Sequence, residues 1–121
     1  MTNDPLSIID LSQKSDPAQY YRIAPQFVAT DGLKYLMDQA QCYWLAQLYA
    51  VYLCDVDYRQ RPFTVLNLTR RGAGCIVTIE DGNGAVLASE RLSYTDFPLD
   101  QYCIYACWSG EMWVGMLPSE Y

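Results

Sequence analysis

Between residues 30 and 55 the apolar positions repeat at helical spacing. Leu33, Leu36, Met37, Ala40, Trp44, Leu48 and Val51 fall at i, i+3, i+4 and i+7. Thr30 or Asp31 stands ahead of them as a cap. The spacing predicts one long helix from Gly32 to about Cys54. A second stripe of Tyr35, Cys42, Ala46, Tyr49 and Leu53 lies on other faces, so this helix is apolar nearly all round. Such a helix is buried on more than one side. Asp31 at its start, and Arg59 and Arg61 past its end, suit the helix dipole.

After Arg61-Pro62 the period changes from 3.6 to 2, and five strands are expected at 63–70, 75–80, 85–92, 102–108 and 111–117. Asp81-Gly82-Asn83-Gly84 is a hairpin signal. With Gly82-Asn83 as its loop, Ile79 faces Val86 and Val77 faces Ala88. A Ser109-Gly110 turn sets Tyr105 opposite Val114 and Cys107 opposite Met112, with Ile104, Ala106, Trp108 and Trp113 on the other face. Both faces of that last hairpin are apolar. Residues 1–26 form a polar arm with Pro5, Pro17 and Pro25, in which Ser15-Asp16-Pro17 predicts a short helix over 18–22. A helix followed by short-linked strands means a single α+β domain. A main helix (30–55) packs on a mostly antiparallel sheet of about five strands (62–117).

Composition narrows the chemistry. In 121 residues, 51% are hydrophobic and 18% charged, which excludes a disordered chain. Histidine is absent, which removes the commonest general base and metal ligand. Five cysteines, an odd number, with no basic and apolar leader at the start, read as reduced, buried structural thiols in a cytoplasmic protein. Cys42 and Cys54 on one helix stand about 18 Å apart. Cys103 and Cys107 on one strand stand about 13 Å apart. Neither pair shares an ion, so no metal and no cofactor are expected. The apolar, charge-free stretch 39–54 is too short to span a bilayer.

There is no GxSxG, P-loop or HExxH, and no histidine to activate a cysteine. Asp31, Asp96 and Glu120 could serve as an acid–base set, but their places at element ends read first as caps and turns. The 11 Tyr, 3 Trp and 3 Phe offer interaction surface instead. Tyr20-Tyr21-Arg22, and Trp108 with Trp113, are the candidate exposed patches. Arg59, Arg61, Arg70 and Arg71 flank one strand and read as a solvated edge. A net charge of -6 argues against binding a phosphate backbone. The segment 117–121 is expected to be docked, with Leu117 and Tyr121 as anchors. Ser119 and Glu120 would bond backbone amides or a basic group.

Thr30-Asp31-Gly32-Leu33-Lys34-Tyr35-Leu36, Tyr43-Trp44-Leu45, Tyr94-Thr95-Asp96-Phe97-Pro98-Leu99 and Leu117-Pro118-Ser119-Glu120-Tyr121 resemble the motifs of an uncharacterised bacterial domain-of-unknown-function family. The resemblance runs from about residue 20 to the end of the sequence. It implies a small single-domain protein of bacterial or mobile-element origin and supplies no activity. Where that family carries a Trp-Tyr-Arg-His-like run, this chain has Tyr20-Tyr21-Arg22-Ile23, so no histidine-based role operates here.

The sequence favours a non-enzymatic interaction module that forms a homo-oligomer or binds another protein, with no membrane or nucleic-acid partner. One alternative is a small-ligand binder or carboxylate-dependent hydrolase built from Asp31, Asp96 and Glu120 near Trp44. Another is an acidic decoy of a nucleic-acid enzyme.

Overall fold

The computed structural model describes residues 20–95, 97 and 99–121. Seven strands and two helices follow one another as β1 (Tyr21–Ala24), β2 (Phe27–Ala29), α1 (Asp31–Ala40), α2 (Tyr43–Leu53), β3 (Phe63–Arg71), β4 (Gly74–Glu80), β5 (Val86–Leu92), β6 (Gln101–Trp108) and β7 (Trp113–Met116). A 3₁₀ turn over Pro118–Glu120 ends the chain. The class is α+β, and the single sheet is mixed, in the order β1-β2-β7-β6-β3-β4-β5. Every pairing is antiparallel except β2 with β7, which runs Val28 beside Val114 and joins early chain to late chain.

The expected long helix is two helices. Gln41 turns into the left-handed region at φ 52°, and the Cys42 amide reaches back to the Met37 carbonyl, which closes α1. α2 restarts at Tyr43. The break resolves the all-round apolar pattern. Leu33 and Met37 from the first stripe, and Cys42, Ala46, Tyr49 and Leu53 from the second, all enter one core. Trp44 and Leu48, later in the first stripe, are half-buried, and Val51 at its end is 65% exposed. Because α2 stops at Leu53, Arg59 and Arg61 lie beyond it and offer nothing to its last turn.

The predicted short helix over 18–22 is also corrected. Residues 18 and 19 lie outside the described residues, and Tyr21 and Arg22 belong to β1, paired through Tyr21 with Ala29 and Arg22 with Val28. This hairpin raises the sheet from the five expected strands, all present, to seven. Three-residue and four-residue strands carry too little periodicity to read.

Both predicted hairpin registers move by two residues. Asp81 accepts the amides of Asn83 (2.8 Å) and Ala85 (3.1 Å), which widens the loop, and a bulge follows at Glu80. Ile79 therefore pairs with Ala88, and Val77 with Glu90. In the last hairpin the Ser109 hydroxyl accepts the Met112 amide (3.3 Å) and the loop spans 109–112. Cys107 then pairs with Val114, and Tyr105 with Met116. A slip of two preserves the face of every side chain, so the predicted division of the last hairpin holds.

α1 and α2 pack on the first face of the sheet, where Leu66, Leu68, Val77, Ile79, Ile104, Ala106 and Trp113 meet Leu33, Met37, Leu45, Tyr49 and Leu53. Gly115 is obligatory there: a Cβ would lie 2.6 Å from Phe27 Cζ and 2.8 Å from Leu33 Cδ2. Tyr49 is fully buried, and its hydroxyl shares a 2.8 Å hydrogen bond with Thr64. Burial pushes its phenol far above the usual range. β3 lies inside the sheet, so the arginines flanking it do not guard an edge. Arg70 instead holds Phe97 and Asp100, its guanidinium donating to the Phe97 carbonyl and its amide to the Asp100 carbonyl (2.8 Å).

Candidate interaction surface

Two of the singled-out carboxylates meet at the N-terminus of α1. Thr30 is the N-cap, and its side chain accepts the Leu33 amide (3.3 Å). The 3₁₀ turn folds Glu120 back onto the same end. Its carboxylate accepts from Thr30 Oγ1 (2.6 Å), the Gly32 amide (3.1 Å) and the Leu117 amide (2.8 Å). The two amides are ones that a helix start and a chain reversal leave without partners, and a carboxylate also suits the positive end of the dipole. Gly32 makes room for it: a Cβ there would sit 2.6 Å from Glu120 Oε2. The Thr-Asp-Gly and Leu-Pro-Ser-Glu-Tyr segments are thus one joint. Asp31 is buried in the first turn beside it.

The expected docking of 117–121 is found, with amides and Thr30 rather than arginines as Glu120's partners. Leu117 packs on the core. Tyr121 reaches over the second face of the sheet, its ring 5.0 Å from Phe63 and 5.5 Å from Tyr105 between centroids.

The other candidates do not converge. Trp44 lines a recess with Leu92, Tyr94 and Thr95 instead of the Glu120 joint. Asp96, the third carboxylate, lies outside the described residues, as does Pro98. Trp113 is 3% exposed and so belongs to the core rather than to a surface patch. Trp108 pairs with it edge-on at 5.5 Å and is stacked by Tyr58 at 3.9 Å. Tyr21 is half-buried under Lys34, whose Nζ lies 5.3 Å from the ring centroid. Arg22 is exposed, and its guanidinium donates to the Pro25 carbonyl (2.6 Å).

The electrostatics match a scaffold held by local pairs. Lys34 bridges Asp38 at 2.9 Å, and the Tyr43 hydroxyl donates to the same carboxylate. Burial pushes Asp38 up, but Tyr43 and Lys34 outweigh it and hold the carboxyl below its ordinary value. Burial raises the thiols of Cys75, Cys103 and Cys107. Cys54 is exposed and Cys103 and Cys107 are half-buried, so the reading of all five as buried holds only for Cys42 and Cys75. No helix among the described residues is long and apolar enough to cross a membrane.

Sequence reasoning foresaw two apolar faces on the last hairpin but not the surface they help to form. With α1 and α2 on the first face, the second face presents half-buried Phe63, Val65, Tyr105, Cys107, Val114 and Met116. Toward β4 and β5 it becomes mixed, with Asn67, Thr78, Glu80, Ser89 and Arg91 around the apolar Ile76 and Val86. A recess of about 300 Å³ opens beside Tyr121, between Gln60–Phe63 and Asp81–Asn83. The signal was present in the alternation of 63–70, whose two faces are both partly apolar.

No curated protein matches the chain. A crystal structure of a protein of unknown function from Enterococcus faecalis is similar in fold. Its TM-score is 0.55 at 16% identity, over 85% of this chain and 98% of that one. A family model described as a family of unknown function matches residues 7–121, which span the cap, the joint and the whole described sheet, and the chain belongs to that family, DUF6876.

Proposed function

We propose that this protein is a non-enzymatic, cytoplasmic protein-interaction module that associates with itself. The observation that carries the reading is the second sheet face. It has an apolar and aromatic centre on β3, β6 and β7, a more polar margin on β4 and β5 in which only Ile76 and Val86 are apolar, and no described helix over it. Interfaces have this anatomy, an apolar centre with aromatic residues inside a polar rim. Against a carboxylate-dependent hydrolase stands the state of Glu120, whose carboxylate is committed to three donors within the protein.

Light scattering during size exclusion, run from low to high micromolar concentration, tests the reading. The expected result is a mass above 13.8 kDa that rises with concentration toward twice that value. A constant monomer mass to the highest concentration would end it.

A further inference from the structure

We infer that a second copy of this chain completes the open sheet face, with Tyr121 of each copy seated in the recess between Pro62–Phe63 and Asp81–Asn83 of the other. The inference rests on the self-association proposed above and names its anchor.

Tyr121 is 74% exposed, yet it is not a loose end. The Glu120 joint holds its backbone, and contacts with Phe63 and Tyr105 hold its ring. An exposed, pre-positioned aromatic residue with a polar tip makes an interface anchor at little entropic cost. The recess lies directly beside it and is lined by Tyr121 itself, Phe63 and Pro62 on the apolar side and by Asn83, Asp81 and Arg61 on the polar side. At about 300 Å³ it has room for one phenol ring. Asn83 and Asp81 line it with an amide and a carboxylate, groups that can partner a phenolic hydroxyl.

A two-fold axis makes this arrangement self-complementary. In an isologous contact residue i meets j and j meets i, so an anchor next to its own receptor recess is received by the identical recess of the partner. Sheets also stack face to face at about 10 Å with their strands nearly aligned. Without β1 and β2, where Val28 on this face is already buried, strands β3 to β7 give a face on the order of 550 Å². That falls at the lower end of the area each partner contributes to a biological interface. The rim carries both signs, Glu80 and Arg91, so a two-fold can set unlike charges against each other.

The test uses the full chain and compares the wild type with Tyr121→Ala and Asn83→Ala by sedimentation equilibrium. Isotope-filtered NOE measurements on a mixture of labelled and unlabelled protein accompany it. Expected are a dimer, a dissociation constant raised about tenfold or more by Tyr121→Ala in a monomer that is still folded, and intermolecular contacts from the Tyr121 ring to Phe63 and Asn83. A wild-type dimer that is indifferent to Tyr121→Ala and lacks those contacts overturns this inference and leaves self-association standing. A wild-type monomer at every concentration overturns both.

Discussion

Replacing Glu120 with alanine removes one carboxylate and strands three donors at once. The Gly32 and Leu117 amides and the Thr30 hydroxyl lose acceptors at 3.1, 2.8 and 2.6 Å. A hydrogen bond to a charged group contributes about 1.5–3 kcal/mol when shielded, and a carboxylate at a helix start about 0.3–1 kcal/mol more. The joint is only part-buried, so water replaces some of each bond, and the expected loss for Glu120→Ala is about 2–3 kcal/mol. Gly32→Ala makes a sharper test. In an ordinary helix alanine is better than glycine by about 1 kcal/mol. Here its Cβ would stand 2.6 Å from Glu120 Oε2 and expel the carboxylate. Gly32→Ala should therefore destabilise the protein by about 1–2 kcal/mol, the lost bonds less the gain in propensity. In the Glu120→Ala background the same change should turn stabilising by about 0.5–1 kcal/mol. Urea unfolding of the four proteins gives all sides of this cycle. If Gly32→Ala has the same sign in both backgrounds, the joint is not what holds Gly32 in place.

Three further changes test other parts of the fold. Gln41→Gly relieves the left-handed residue between α1 and α2 and should raise the urea midpoint by the equivalent of about 0.5–1 kcal/mol; a drop would mean the break is held by the glutamine side chain. Arg70→Met frees the Phe97 carbonyl and should speed exchange of the Thr95 and Phe97 amides while costing about 1–2 kcal/mol, whereas exchange at wild-type rates would show that these residues do not depend on this side chain. The lowered Asp38 carboxyl contributes stability that is present above its unfolded pKa and lost as pH falls through the folded value. Tyr43 and Lys34 are raised, so their contribution is present below their unfolded values near 10 and lost as pH rises through the folded ones. Tyr43→Phe should thus lower stability at pH 7 by a fraction of a kcal/mol, since its bond to Asp38 is only part-buried, and by less at pH 3; an equal loss at both would point to packing instead.

What could be read from the chain follows from what periodicity encodes. Strands β3 to β6 repeat every second residue for long enough to be recognised, β7 follows from the Ser109-Gly110 turn signal, and the faces of the last hairpin were assigned correctly even where the register was not. A two-residue error leaves side-chain alternation intact, while the turn chemistry that sets register depends on Asp81 and Ser109 side chains bonding back to their own loops. The helix break left no such trace. Gln41 is an ordinary helix former, and only the need to present Leu33, Met37, Tyr49 and Leu53 to one sheet forces the chain to rephase there. Of the candidate site, Asp31 and Glu120 were singled out and are neighbours. Their joint was not foreseen, because residues some 90 positions apart meet through the parallel β2–β7 pairing that no local pattern announces. Trp113 shows the reverse error: in a sheet with both faces apolar, composition does not say which face the helices take.

The segments that resemble the family turn out to be joints of the scaffold. Leu45 enters the core, Tyr43 binds Asp38, Phe97 is fully buried beneath β3 and β6, and Thr95 bonds the β3–β4 turn through Ala73 (2.9 Å). The tail differs, because its last two described residues face opposite ways. Glu120 turns in to the start of α1, and Tyr121 turns out over the second sheet face. Their defects should therefore separate. Tyr121→Ala removes a ring that is 74% exposed and should cost well under 1 kcal/mol of stability while weakening association. Glu120→Ala should cost stability through the joint and weaken association as well, since nothing then positions Tyr121. Adding Gly32→Ala to Glu120→Ala should restore part of the stability without restoring association, because alanine repairs the helix but not the hold on the tail. Measuring unfolding midpoint and dissociation constant on the same three proteins decides it. If association recovers along with stability, the tail affects assembly only through the fold, and Tyr121 has no part of its own in the contact.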